Sequence, residues 1–252
     1  MTIRSHINAL RAAVVLLSTL PVRYPVNISK TEKRRSVFYY PLVGLFIGLI
    51  LCGFAYLLPY GSLVSAGLVL SLWVILTGAL HLDGLADCAD AWMGGLGDKN
   101  RTLTILKDPN AGAIAVVVLI LFLCLKFFAI DALLNSGRIM FLIAVPTLAR
   151  LFPTLLYATT AYVRQGGLGE GLRLDHKDGE VPWVVATITA ILVIALLGSS
   201  GVLIVFFSCL VFFVVRAASV RRLQGFTGDV AGAGIELTEL CCCVALALVA
   251  IS

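Results

Sequence analysis

The chain has 252 residues, 60% of them hydrophobic and 13% charged, with a formal net charge of +5. A soluble domain carries roughly 25% charged residues, so a water-soluble globular fold is excluded, and a mean hydropathy of +1.02 points to helices packed in lipid. The positive balance does not argue for nucleic acid, because membrane proteins are basic on one side by rule.

The chain opens with MTIRSHINALRAAVVLLSTLPVRYPV. Basic residues followed by an apolar run imitate a signal peptide, but no small-x-small cleavage site follows, and Pro21 and Pro25 come at once. With Arg4 and Arg11 on a segment too short to span, a short N-terminal interfacial helix is expected. About seven apolar segments near the spanning length of roughly 20 residues follow, at 38–58, 63–82, 111–133, 139–158, 182–198, 200–217 and 232–251. The seven cysteines lie mostly inside such stretches and form no CxxC pair, so they read as small apolar filler rather than as disulfides or a zinc site.

The connections are of two kinds. The turns at 60–62, 135–138 and 198–200 are tight and nearly uncharged, whereas 21–37, 84–110, 159–181 and 216–231 are longer and hold almost all the charge, Lys177 among it. Long and tight connections alternate, so the long ones share one side, and Arg138 stands alone on the other. The positive-inside rule makes the loaded side cytoplasmic, with the N-terminus there and Ser252 outside. The expected fold is all-α: a polytopic integral membrane helical bundle forming a single membrane domain over 1–252. Residues 1–37 are its cytoplasmic or interfacial N-terminal segment, 84–110 an acidic loop carrying a cytoplasmic amphipathic helix, and 159–181 and 216–231 cytoplasmic loops.

The span at 63–82 runs into GALHLDGLADCADAW (78–92), and its end is expected near Leu82. Read as a helix, Asp83, Asp87 and Asp90 stand at i, i+4 and i+7 on one face. Carboxylates so close repel one another unless a positive charge sits among them. Either they hold Mg²⁺ or Mn²⁺, cations that prefer carboxylates, water and phosphate oxygens, or they form a solvated face paired with the basic loops. A second acidic patch, GFTGDVAGAGIELTEL (225–240), places Asp229 in a glycine-rich turn and Glu236 and Glu239 at i and i+3 of the last span. Intramembrane glutamates rarely face lipid, so these two point toward a polar cavity or toward basic partners.

Among the bases, Lys107 and Asp108 close the loop that begins with the aspartates. Arg150 interrupts a span between Pro146 and Pro153, which pairs it with a buried acid or aims it at an anionic ligand. Lys126, with Asp131 nearby, reads as a structural, snorkelling residue. Arg34 and Arg35 read as ordinary inside-positive charges. His81 is either structural or, beside a metal, a base or hydrogen-bond donor. Carboxylates for a divalent cation and arginines for phosphate suit phosphoryl transfer. No GxxxxGK[ST], GxSxG or HExxH motif occurs.

HLDGLADCADAW (81–92), LKDPNAG (106–112), RQGGLGEG (164–171) and TGDVAGAGIELTEL (227–240), together with LPVRYPV (20–26) and YYPLVGLFIG (39–48), resemble the cobalamin synthase family. These are the adenosylcobinamide-GDP ribazoletransferases. The resemblance implies a Mg²⁺-dependent transfer, Mn²⁺ being an alternative cofactor. In it a ribose hydroxyl of α-ribazole, or of its 5′-phosphate, attacks the cobinamide-linked phosphorus of adenosylcobinamide-GDP and GMP leaves. It implies Asp83, Asp87, Asp90 and Asp229 as metal ligands, and leaves His81 or one aspartate, Asp83 foremost, as the candidate catalytic residue that deprotonates the ribose hydroxyl. Lys107, Asp108, Arg150, Arg164, Glu236 and Glu239 become candidates for substrate binding. The partners it implies are the two substrates, the bilayer of the cell inner membrane and other cobalamin-assembly enzymes, with no nucleic acid.

Two other functions compete. A small cation- or proton-coupled secondary transporter would place acids near the midplane and often shows internal repeats. Here the acids gather toward one face and no repeat appears. A phosphotransferase acting on a lipid alcohol would carry an arginine after Ala86, where this chain has Asp87.

Overall fold

The structure, a computed structural model, describes residues 3–59, 61–167, 169–174 and 178–251. Tyr60 of the first tight turn, Lys177 of the 159–181 loop and Ser252 lie outside the described residues. The helices are α1 (Ile3–Leu17), α2 (Lys30–Arg35), α3 (Tyr40–Tyr56), α4 (Leu63–Thr77), α5 (Leu80–Gly94), α6 (Lys99–Ile105), α7 (Ala113–Asn135), α8 (Phe141–Ala149), α9 (Leu151–Thr159), α10 (Val181–Leu197), α11 (Ser199–Leu223) and α12 (Gly228–Ile251). Lipid leaves backbone polar groups no water to bond, so a chain this apolar meets its hydrogen bonds inside helices.

Among the described residues, five helical stretches are long and apolar enough to cross a membrane: Lys30–Tyr56, Ala113–Asn135, Phe141–Thr159, Ser199–Leu223 and Gly228–Ala250. A sixth is reached only if α4 and α5 count as one span, and these are bent by 87° to each other. The apolar α10, with 17 residues, is shorter. Large apolar side chains face outward along these helices, among them Val117, Ile120, Leu121 and Leu125 on α7 and Val202, Phe206 and Phe213 on α11. Such a surface is stable against acyl chains and not against water.

The span that begins at Leu63 ends at Thr77, five residues before the expected Leu82. Gly78 (φ +61°) and Ala79 (φ +55°) are both left-handed, a conformation that stops a right-handed helix. The segment after α1 completes the stop. The Thr19 backbone N–H donates to the Leu76 carbonyl (2.8 Å) and its hydroxyl donates to the Ile75 carbonyl (2.8 Å). The orphan carbonyl of Leu76 is thereby met, and that of Ile75, which also accepts from the Gly78 N–H (3.0 Å), gains a second donor. Helix α5 then restarts nearly at right angles, so the aspartates lie across the bundle rather than continuing the line of the span.

Helix α12 packs against α5, α7, α8, α9 and α11 and is the centre of the bundle. Helix α3 packs closely on α8, where Gly44 and Gly48 admit the backbone of residues 142–147. Small residues four apart are a common way for membrane helices to approach. The four long charged segments meet at one end. Lys33 Nζ donates to the Glu170 carbonyl (3.1 Å) and Arg34 pairs with Asp178 (3.0 Å). Lys99 Nζ donates to Gln224 Oε1 (2.9 Å) and Arg222 donates to the Thr102 hydroxyl (3.2 Å). Residues 161–163 pair with Phe226 in a parallel β-bridge. Arg138 sits at the far end of α12 and donates to the Val249 carbonyl (3.3 Å).

A Cβ at position 48 would stand 2.6 Å from the Leu142 carbonyl oxygen, whereas one at Gly53 on the same helix meets nothing within 4 Å. Gly48→Leu therefore destabilises the protein by about 1–3 kcal/mol through overpacking, and Gly53→Leu is tolerated. Thermal unfolding of the two variants in detergent measures the difference.

Candidate active site

Helix α5 crosses the start of α12 at glycine. A Cβ at Gly84 would lie 2.7 Å from the Asp229 carbonyl oxygen, and one at Gly232 would lie 3.2 Å from the His81 Cα. This close crossing brings Asp83 and Asp87 of α5 beside Asp229 of α12. All three line one cavity of about 360 Å³, together with His81 and Arg164. Arg164 arrives on the loop after α9, and the bridge to Phe226 fixes that loop. The Val163 N–H donates to the Phe226 carbonyl and the Phe226 N–H donates to the Ala161 carbonyl, each at 2.9 Å. One Arg164 nitrogen donates to both Asp229 carboxylate oxygens (2.9 and 2.7 Å), and the Thr227 hydroxyl donates to one of them (3.1 Å).

The cavity is acidic in excess. Arg164 balances Asp229, while Asp83 and Asp87 have no cation of their own within the lining. Burial first, then the nearby carboxylates of Asp83 and Asp229, push the Asp87 carboxyl up to about 6, with Arg164 acting the other way. A carboxylate raised by like charges is one that gains from an added cation. Among the described residues, no three His, Cys, Asp or Glu side chains stand so as to hold a metal ion by themselves.

Asp90 shares the helix face of Asp83 and Asp87 but does not line the cavity. Its carboxylate accepts from the backbone N–H groups of Gly112 (2.5 Å) and Ala115 (3.0 Å) and so caps the start of α7. The first turn of a helix has unpaired N–H donors and a positive dipole end, and a carboxylate one turn beyond Asp87 is within their reach. Lys107 lies on a neighbouring groove of about 200 Å³ that shares Arg164 with the cavity. Asp108 accepts from the backbone and side-chain nitrogens of Asn110 (3.0 and 2.8 Å), a local turn contact.

Glu236 and Glu239 point away from the cavity, toward basic partners. Lys126 Nζ bonds Glu236 Oε2 (3.0 Å) and Glu239 Oε2 (2.5 Å), and Arg150 pairs with the other Glu239 oxygen. All four side chains are buried, and their formal charges cancel. Arg150 thus meets a buried acid, one of the two alternatives open to it. Lys126 does not snorkel toward Asp131, which instead accepts from Asn135 (3.2 Å). The ammonium lies deep in the bundle, 4.4 Å from the centre of the Trp73 ring, where the attraction of two glutamates and an aromatic face exceeds that of a single neighbouring acid.

His81 is 2% exposed, lines the cavity, and has no hydrogen-bond partner for either ring nitrogen among the described residues. Other lining residues carried no sequence signal. Leu16 and Leu17 of α1 form part of the wall, as do Tyr157 and Tyr162, whose rings stack at 6.2 Å. Aromatic and aliphatic residues in an apolar chain look alike wherever they point. For Lys126 a signal did exist, since a mid-span lysine and an intramembrane glutamate pair each require a partner.

The model of the cobalamin-5-phosphate synthase family matches residues 9–247. The adenosylcobinamide-GDP ribazoletransferase of Pseudomonas fluorescens (strain Pf0-1) is 46% identical over 237 residues, covering 94% of this chain and 97% of that protein. The protein of the same name from Pseudomonas paraeruginosa (strain DSM 24068 / PA7) is 47% identical over 246 residues, covering 97% and 100%. A third, from Ectopseudomonas mendocina (strain ymp), is 48% identical over 242 residues, covering 94% and 98%. No solved structure matches the chain.

Removing one member of a buried ion cluster strands the others. Lys126→Met, which leaves Glu236 and Glu239 with Arg150 alone, destabilises the protein by about 3–5 kcal/mol. Lys126→Met combined with Glu236→Gln recovers part of that loss. Unfolding in detergent, compared between the single and double variants, reads both effects.

Proposed function

We propose, from the premise that the chain belongs to the cobalamin-5-phosphate synthase family and is a transferase of cobalamin synthesis, that its reaction joins adenosylcobinamide-GDP to α-ribazole or α-ribazole 5′-phosphate. A ribose hydroxyl oxygen forms a bond to the cobinamide-linked phosphorus. The bond from that phosphorus to the bridging oxygen breaks, and GMP leaves with the electron pair. The observation that carries this reading is the single cavity in which Asp83, Asp87, Asp229 and Arg164 meet at the basic end of the bundle.

The donor set suits Mg²⁺, with Mn²⁺ as a substitute. Mg²⁺ is commonly held by one or two carboxylates with water and substrate phosphates filling the remaining positions. Asp83 and Asp87 would hold it, and Asp229 stands beside them with its charge balanced by Arg164. When bound, such a cation neutralises diphosphate charge and stabilises the leaving phosphate.

The chain's own groups supply positioning and charge. Arg164 lies between the cavity and the groove of Lys107, so the two cations flank the place where a diphosphate would lie. Asp83, exposed at the mouth, would take the proton of the attacking hydroxyl. The buried cluster of Lys126, Arg150, Glu236 and Glu239 acts on the site indirectly, by fixing α12. Capping by Asp90 similarly fixes α5 against α7. The excess of Lys and Arg at this end orients it to the cytoplasm, the compartment in which nucleotide-activated donors are made, and the bilayer would be the cell inner membrane.

The test is an assay with purified protein, both substrates and Mg²⁺ in detergent or liposomes, following cobalamin product and GMP. Asp83→Asn and Asp87→Asn should each lower kcat roughly 10²–10³-fold with unfolding unchanged, and chelation should stop wild-type turnover. Wild-type rates in both variants would remove these residues from the reaction. Folded wild-type protein that forms no product would overturn the function itself.

A further inference from the structure

The cavity has a polar mouth and a dry floor. Asp83 is exposed and Arg164 keeps 29% of its side chain accessible. Leu17, Tyr40 and Ile235 are 5%, 1% and 1% exposed, and Pro153 is buried with them. At about 360 Å³ it sits near the lower end of the roughly 300–1,000 Å³ usual for small-molecule pockets. That is room for a nucleoside and not for a corrin macrocycle with its amide arms. Two nucleosides take part in the proposed reaction, and their bases differ. Guanine presents a row of donors and acceptors along its edge, each needing a buried partner. The base of ribazole is a dimethylated benzimidazole with one unsubstituted ring nitrogen. The wall offers a mainly apolar inventory: aliphatic side chains and a proline, the rings of Tyr40, Tyr157 and Tyr162, and His81, whose buried ring nitrogens lack partners among the described residues. An unpartnered buried polar group in a cavity wall is costly until a ligand meets it.

Resting on the reading above, we propose that this cavity is the acceptor subsite. The benzimidazole base enters against Leu16, Leu17, Pro153 and Ile235, His81 meets its free nitrogen, and the ribose faces Asp83 and Asp87. The corrinoid and the guanosine remain outside, and the diphosphate reaches the carboxylates from the side of Arg164 and Lys107. The N-terminal helix is then part of the substrate site, held there by the Thr19 bonds to the end of α4.

Steady-state kinetics with each substrate varied in turn, together with calorimetric titration of α-ribazole into donor-free protein, test this. Ala231→Leu, which fills the cavity from α12, should raise KM for α-ribazole at least tenfold and weaken its binding to match. KM for adenosylcobinamide-GDP should stay within twofold. Leu17→Trp, on a different helix, should act in the same direction, so that misfolding of one variant leaves the other to decide. A rise confined to adenosylcobinamide-GDP, or no change in either KM, overturns the assignment while the transferase reading stands. Absence of product from the wild type is the separate outcome that removes the reading beneath it.

Discussion

Two glutamates stand three residues apart on a helix at the centre of a membrane bundle, and nothing there can solvate them. The rest of the structure depends on how their charge is met. Lys126 from α7 and Arg150 from the junction of α8 and α9 converge on Glu236 and Glu239 and leave a neutral cluster. An isolated ion in so dry a place is prohibitively costly, while a paired and hydrogen-bonded set is tolerated. The pairing also fixes a geometry. Helix α12 can take only the rotation and depth at which both glutamates reach their partners, and that rotation presents Asp229, two turns earlier, to α5 and Arg164.

The second determinant is where α4 stops. Left-handed residues 78 and 79 and the two bonds from Thr19 turn the chain by 87°. Without that turn, Asp83 and Asp87 would continue the line of the span. With it, they lie across the N-terminal ends of α7 and α12, where Gly84 and Gly232 let the two backbones close. A charge cluster within the bundle and a helix break at its edge thus act on the same few carboxylates from opposite directions. Family membership supplies the reaction proposed for these carboxylates, and the fold explains why residues so far apart in the chain meet.

Much of this was legible from residues alone, wherever the signal was local or compositional. The apolar segments mark the long helices, and the alternation of long and tight connections anticipates the contacts that join Lys33 to Glu170 and Lys99 to Gln224. The requirement that an intramembrane arginine find an acid is met at Glu239. What escaped was set by distant partners. Hydropathy carries the fourth helix on through Ala79, Leu80 and Leu82, because nothing in that stretch shows that Thr19 closes the helix at Thr77. Helical spacing puts Asp90 on the face of Asp83 and Asp87, but does not show that the unpaired amides of Gly112 and Ala115 occupy its carboxylate. Lys126 has an acid five residues off at Asp131, and its actual partners are 110 and 113 residues along the chain. The apolar wall of the cavity was invisible for a different reason: in a chain that is 60% hydrophobic, a leucine facing a ligand cannot be told from one facing lipid.

The central claim is that Asp83 and Asp87 hold a divalent cation against the diphosphate of the donor. Electron–nuclear double resonance of protein loaded with Mn²⁺ and adenosylcobinamide-GDP addresses it without relying on turnover. The account predicts a ³¹P hyperfine coupling from directly coordinated phosphate in the wild type, lost when both aspartates are replaced by asparagine. Bound Mn²⁺ with no ³¹P coupling, or a coupling unchanged in the double variant, would contradict it.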